Sequence, residues 1–418
     1  MQLTRRFFLH NGALAIAGTA AIPSFLVRSV LAETAAMPGQ RLVVIFQRGA
    51  ADGLNVVVPY REKNYYAMRP TIAIPQNQVL DLDGFFGLHP SLASFKPLYE
   101  QGHLAIVHAC GSPSMSRSHF DAQDYMESGT PDVKSTQTGW LNRALQAQDA
   151  SEALCCREHH TAFRALALGP EVPLTLAGKI PAIALTNVNG FTVAGRGPVP
   201  SPVADAFEAM YADTGDRIFH AAGDETFDAV KMLRAADPAQ YQPAAGVEYP
   251  NSEFGNNMKQ IAQLLKANLG VEAAFTDVTG WDTHHAQGGV DGQLAGRLRD
   301  FSDSIGAFWH DLGDEAGNVT VVTMSEFGRT ARENGTGGTD HGHANAMFVL
   351  GGPVKGGKVY GRWPGLDNDQ LNQGRDLALT TDYRQVLGEV VTQTLGAENL
   401  EQVFPGAQLA PNRFLRLV

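Results

Sequence analysis

Cysteine is scarce in this chain, with three among 418 residues. Cys155 and Cys156 are adjacent, a spacing that rarely closes, and Cys110 stands alone. A disulfide framework is therefore excluded, and at most one bridge remains open. Basic residues are also in deficit, with Lys+Arg 32 against Asp+Glu 43 and a formal net charge of −11. That balance argues against a nucleic-acid or anionic-membrane surface. Past the amino terminus no apolar run is long enough to span a bilayer. Tandem repeats are lacking, and so are low-complexity tracts beyond Gly-rich loops.

The first 32 residues pair Arg5 with Arg6, follow them with Phe7, Phe8 and Leu9, and continue in a mildly apolar run broken by Pro23. This is the pattern of a twin-arginine export signal, with Val30 and Ala32 placed for cleavage after Ala32. A short anchor helix is the competing reading, and the run is weakly apolar for one. The signal implies a periplasmic or secreted protein, handed in folded form to the twin-arginine translocase. Its removal takes three arginines and no acid, leaving 29 Lys+Arg against 43 Asp+Glu and a net charge of −14. Residues 33–418 then form one large α/β domain or two smaller ones, and the single domain is expected.

The stretch from 319 to 343 organises the rest. VTVVTM reads as a strand buried on both faces of a parallel sheet. Ser325 and Glu326 follow at its carboxyl end, and then a Gly-rich loop carries Asp340, His341 and His343. Ligands gather at the carboxyl ends of strands in open α/β sheets, and imidazole with carboxylate suits a divalent ion such as zinc, manganese or iron. RLVVIFQ (41–47) is a second such strand, with Asp52 just past it, although Asp-Gly is also a routine turn pair. LAIVHA (104–109) is a third strand, preceded by a helix over 89–102 with Leu92, Phe95 and Leu98 on one face. A Gly/Pro/Ser loop then runs into a helix beginning near Ser118. Serine at a helix amino end lies beside free N–H groups and a positive dipole end, favourable for an anion, and Arg117 is placed to clamp one. Ser118 and Asp121 also have the spacing of a capping box.

The middle of the chain offers short strands in ALALG and PAIALTN, a Pro-rich turn in GPVPSPVADAF, and amphipathic helices over 219–235 and 254–268. His159 and His160 read as solvated. VEAAFTDVT is another strand, and Asp282, His284 and His285 stand just beyond it, the densest local metal signal in the chain. The helix over 290–312 is core packing. AMFVLGGPVKGGKVYG reads as a strand and hairpin, and a last helix opens at Thr381 or Asp382.

Taken in order, LVVIFQRGAADGLN, SRSHFDAQDYMESG, GWDTHHAQ, SEFGRT and TDHGHANAMFVLGG resemble the exported DUF1501 family, grouped with the alkaline phosphatase and sulfatase superfamily. The resemblance covers nearly the whole mature chain. It implies an alkaline phosphatase-like three-layer α/β sandwich with a mainly parallel central sheet. It also implies a divalent metal ion, with calcium open beside the three metals above, and a phosphate or sulfate ester as substrate. Carried over by residue, Asp52 matches the first-strand ligand, and Ser118, or Ser116, matches the nucleophile, with Arg117 holding an oxygen. Asp282 with His284 or His285, together with His341, forms one metal site, and Glu326 stands where the superfamily has the aspartate of an Asp-His pair. Arg48, His119, Arg329 and His343, in the same motifs, are the expected substrate contacts. The pattern departs at Phe327, which replaces the histidine of that pair. Metal-assisted displacement would require Ser118 and Asp52 beside the Asp282/His341 cluster. A non-catalytic metal- or ligand-binding envelope protein on the same fold is the alternative.

Overall fold

The structure, a computed structural model, describes residues 39–151, 160–188, 232 and 240–418. The export signal, Cys155, Cys156, His159, the Pro-rich turn and nearly all of the helix expected over 219–235 lie outside the described residues.

Runs of β-branched and apolar residues make the main strands: β1 (Arg41–Gln47), β2 (Leu104–Gly111), β3 (Ala165–Leu168), β4 (Ile183–Leu185), β5 (Ala273–Val278), β6 (Val319–Met324) and β7 (Asn345–Gly351). Two short strands, β8 (Val359–Tyr360) and β9 (Thr381–Asp382), complete a nine-stranded sheet. Its order is β8-β2-β7-β6-β1-β5-β3-β4, with β9 also beside β2. Every pairing is parallel except the two made by β7, which runs against both β2 and β6. The hairpin expected after β7 does not form, because β8 pairs with β2 and not with β7. β6 likewise has one parallel and one antiparallel neighbour. Val57–Val58, Leu80–Asp81 and Gly87–Leu88 form a small separate sheet.

The helices are α1 (Phe95–Glu100), α2 (His119–Ser128), α3 (Trp140–Ser151), α4 (Glu253–Lys266), α5 (Gln293–Leu312) and α6 (Tyr383–Leu395). Side-chain alternation along the strands sorts them into two layers. Val43, Ile45, Leu104, Ile106, Val319 and Val321 pack with Phe95 and Leu98 of α1, Met258 and Ile261 of α4, and Leu298 and Phe301 of α5. Leu42, Val44, Phe46, Ala105, Val107 and Met324 face the other way, onto Leu141 and Leu145 of α3 and Val386 and Val390 of α6. The result is the expected three-layer α/β sandwich. Each fully buried Val, Leu, Ile or Phe contributes about 1.5–3 kcal/mol, so these two interfaces hold the sheet rigid beneath the loops at its edge. The helix expected over 89–102 is broken into a 3-10 turn (Pro90–Leu92) and α1, since the prolines at 90 and 97 lack the N–H that a continuous helix would use.

Cys110 is buried and free, and burial pushes its thiol up. His160, expected in solvent, is instead half-buried and within 2.8 Å of Glu272. Among the described residues no helix is long and apolar enough to cross a membrane.

Candidate metal centre

The carboxyl ends of β1, β2, β5 and β6 lie along one edge of the sheet. Because β7 runs in reverse, the loop that precedes it reaches that same edge. The loops after β5 and before β7, with the start of α2, bring four side chains together. His341 Nε2 lies 3.0 Å from His119 Nε2 and 2.9 Å from His284 Nε2. Asp282 Oδ1 is 3.1 Å from His284 Nε2 and 3.4 Å from His341 Nε2, and Asp282 Oδ2 is 3.6 Å from His119 Nε2. His119, Asp282 and His341 form a group able to hold one ion. Donors at zinc distances of about 2.0–2.2 Å stand about 3.3 Å from each other around a tetrahedron. The separations among His119, Asp282 and His341, 3.0, 3.4 and 3.6 Å, straddle that value, while His284 stands against Asp282 and His341 outside that group of three.

The tautomers follow from what lies behind each ring. His119 Nδ1 is 2.7 Å from Glu326 Oε1, His341 Nδ1 is 2.8 Å from the Arg117 carbonyl, and His284 Nδ1 is 3.1 Å from Asp340 Oδ1. Carboxylate and carbonyl oxygens only accept, so each Nδ1 carries the proton and donates. Each Nε2 of the neutral ring therefore presents a lone pair to the common centre. The His341 lone pair thus meets those of His119 and His284 at 3.0 and 2.9 Å, and each pair repels without a cation between them. Carboxylate or carbonyl oxygens behind ligating histidines are the usual outer support of a metal site.

Asp282 is held by Arg329, which is 1% exposed and donates to Asp282 Oδ1 at 2.6 Å and to the carbonyls of Gly49, Ala50, Trp281 and Thr339. Burial alone would raise the Asp282 carboxyl, but the bond to Arg329 and the charges of Arg329 and His284 bring it below its ordinary value. Gly49, at φ +116°, lets β1's loop pass close by, since a Cβ there would stand 2.8 Å from the Asp282 nitrogen. The His119 imidazole is raised by its hydrogen bond to Glu326, whereas His341 is lowered by burial.

Several expected roles are corrected. Asp52 is fully buried, with one oxygen 2.6 Å and the other 2.9 Å from Arg69 and with Gln287 donating to it at 2.7 Å, so its lone pairs serve an internal ion pair and not the cluster. Glu326 lies behind His119 and does not face the centre. Its Oε1 accepts from His119, Gln123 and the Gly49 N–H, and its Oε2 from Ser325. Those bonds outweigh burial and keep its carboxyl low. Arg329, expected at substrate, has its N–H groups taken up in the interior. Arg48 turns away to Asp277 and Glu127, and His285 is exposed beside the group. His343 is buried against the backbone of Ser112 and Ser114, outside the four. His119, expected at substrate, stands inside the group. Phe327 packs its ring 5.0 Å from both the His119 and His341 rings.

Ser118 is exposed at the N-cap of α2, its Oγ accepting from the Asp121 N–H at 3.5 Å. It is held between Arg117, whose carbonyl fixes His341, and His119. Ser116 Oγ accepts from the Ser118 N–H. The Arg117 guanidinium donates to Asp376 at 2.5 Å. Gln123 was not foreseen. It lies four residues after His119 on one helical face, a spacing that would have marked it as a second partner for whatever His119 meets.

The family model described as "Protein of unknown function (DUF1501)" matches residues 39–403. No curated protein matches the chain in sequence. Among solved structures it is similar to the C-terminal periplasmic domain of EcEptC from Escherichia coli in complex with zinc, at 10% identity over 75% of this chain and 73% of that one, TM-score 0.33. It is similar to the PsFucS1 sulfatase from Pseudoalteromonas sp., at 12% identity over 95% and 78%, TM-score 0.39. A multiply substituted variant of the alkaline phosphatase PafA is similar at 11% identity over 71% and 64%, TM-score 0.31.

Proposed function

The chain belongs to the DUF1501 family, and we propose that it is an exported, metal-dependent hydrolase of phosphate or sulfate esters. The observation that carries this reading is the convergence of three imidazole Nε2 lone pairs and the Asp282 carboxylate, with every Nδ1 proton committed behind. His119, Asp282 and His341 would hold the ion, with His284 standing against Asp282 and His341 at its side. When bound, a divalent ion would supply Lewis-acid charge against the negative charge that develops on the ester.

The remaining work falls to the chain's own groups. Glu326 and Asp340 orient His119 and His284 through their N–H protons, and Arg329 fixes Asp282. The free N–H groups at the start of α2 favour an anion beside Ser118. The attacking group is Ser118 Oγ or a water. Arg5-Arg6 and the run that follows support export through the twin-arginine translocase to the periplasm or beyond the cell, with no nucleic acid or membrane span among the mature chain's partners.

A second reading has its own support: a metal-stabilised envelope protein without turnover. Asp52, which metal-assisted displacement would require beside the cluster, is bound to Arg69 instead, Phe327 packs against the His119 ring, and the Arg117 guanidinium is held by Asp376.

The test is metal content of the mature chain purified without chelator or affinity metal, beside Asp282→Ala and His341→Ala, with 4-nitrophenyl phosphate and sulfate as substrates. One equivalent of a transition metal in wild type, lost in both variants together with turnover, is expected. Wild type without metal and with unchanged stability in the variants would sink the metal reading. Metal without turnover would favour the envelope-protein reading.

A further inference from the structure

Beside the cluster a cleft of about 420 Å³ opens at the carboxyl ends of β1, β3 and β5, walled on one side by α2. We propose that this cleft binds the alcohol portion of the ester, and that this portion carries an ammonium group. The proposal deepens the hydrolase reading and rests on it for the reacting phosphate or sulfate.

Position is the first ground. Gln123 has one end in the cleft, where its Oε1 accepts from Arg48 at 3.0 Å, and the other on the cluster's support, where its Nε2 donates to Glu326 at 2.9 Å. Phe120 lines the cleft and is the chain neighbour of His119. The cleft thus adjoins the rear support of the cluster across the first turn of α2, and that adjacency is the ground for assigning the acid group and the alcohol of one ester to the two places.

Charge is the second. The lining holds one arginine against four carboxylates: Asp124, Glu127, Glu171 and Asp277. Arg48 is shared between Glu127 at 2.9 Å and Asp277 at 2.5 Å and offsets one of the four carboxylates, so the lining stays net negative, and Asp124 and Glu171, both exposed, have no arginine beside them in the cleft. An anionic alcohol portion would be repelled here, and a cation attracted.

The third ground is the aromatic face. Phe120 is 85% exposed and Val172 39%, two of the four exposed large hydrophobics among the described residues, and both line this cleft. A phenyl face with carboxylates around it is the arrangement that recognises ammonium ions. A sugar ring or short alkyl chain bearing the amine would cover the same apolar surface.

Three probes of one shape and different charge test this without turnover: D-glucosamine, D-glucose and D-glucuronate, titrated into the mature protein by ligand-observed saturation-transfer NMR. Glucosamine is expected to bind tightest and glucuronate weakest. Phe120→Ala, and separately the Asp124→Asn/Glu171→Gln pair, are expected to weaken glucosamine about fivefold each. Asp282→Ala is expected to leave its binding unchanged. All these positions, Asp282 included, are exposed, and a thermal melt checks that the variants stay folded. Equal binding of the three sugars, absence of saturable glucosamine binding, or indifference to both cleft variants would overturn the proposal. Loss of glucosamine binding in Asp282→Ala alone would put the sugar on the cluster and overturn it equally. Failure of ester hydrolysis with the charge order intact would remove the hydrolase reading and leave the cleft as a cation site.

Discussion

Glu326 illustrates how much a single side chain does at this edge without touching the centre. Its carboxylate accepts from the His119 ring, from Gln123 on the same helix and from the Gly49 backbone. Replacing it with glutamine keeps the shape and removes the charge that favours the donating Nδ1. Zinc affinity, read by competition with a chromophoric chelator, is expected to fall about 10–100-fold in Glu326→Gln. An unchanged affinity would mean that the carboxylate is not supporting a ligand. Asp52 makes the complementary case, a carboxylate whose work is structural. With Arg69 removed it would be a buried charge without compensation, so Arg69→Met should cost about 3–5 kcal/mol in urea unfolding. The double variant with Asp52→Asn should recover most of that, and a loss as large as in the single variant would refute the pairing as the cause. That Asp52 and Glu326 sit near the metal edge was legible from their places after strands. Whether a carboxylate there faces an ion, a guanidinium or an imidazole depends on contacts from residues 17 and 207 positions away, which local spacing does not encode.

At the scale of elements, α2 joins two functions that one residue serves. Ser118 caps the helix, and the same hydroxyl is the candidate nucleophile. The two roles separate by substitution, because asparagine caps about as well as serine and has no nucleophilic oxygen. Ser118→Ala is expected to lose about 1 kcal/mol of stability, and Ser118→Asn to regain it. If Ser118 attacks the ester, both variants lose turnover alike. Turnover that follows stability, low in alanine and normal in asparagine, would assign the hydroxyl to the cap alone and leave the attack to water. The cap was readable from the Ser118 and Asp121 spacing, since capping chemistry is local. The membership of His119 in the cluster was not, because it depends on β7 running backward to bring His341 to the amino end of α2.

Across the whole molecule, the strands at 41–47, 104–109 and 319–324 could be read from their apolar, β-branched runs and the helices at 254–268 and 290–312 from their spacing, while the layered sandwich came with the family resemblance. Strand direction could not, since an apolar run such as Asn345–Gly351 has no polarity of pattern. The way the two sheets are joined was also hidden in the sequence, and it carries a test of global stability. His108, on β2, is fully buried with Phe86 stacked at 5.1 Å and Trp363 edge-on at 5.0 Å. Its Nε2 donates to the Val57 carbonyl of the small sheet at 2.9 Å, and its Nδ1 accepts from the Ala109 N–H at 2.8 Å. The neutral ring is satisfied at both nitrogens and has no place for a second proton, and burial pushes its pKa down to about 4. An unfolded histidine titrates near 6.5, so the unfolded chain binds this proton first as pH falls. The contribution of His108 to stability is therefore full above about pH 6.5, declines from there to about pH 4 and levels off below, with a total loss of about 3 kcal/mol. His108→Gln can keep a donor toward Val57 and cannot titrate. Urea unfolding at half-unit steps from pH 7.5 to 4 is expected to show a shallower pH slope in the variant. The comparison also subtracts His89, whose pKa burial lowers in both proteins. Parallel stability curves for wild type and variant would mean that His108 takes up its proton inside the folded sheet, and that the contact between the two sheets opens without global unfolding.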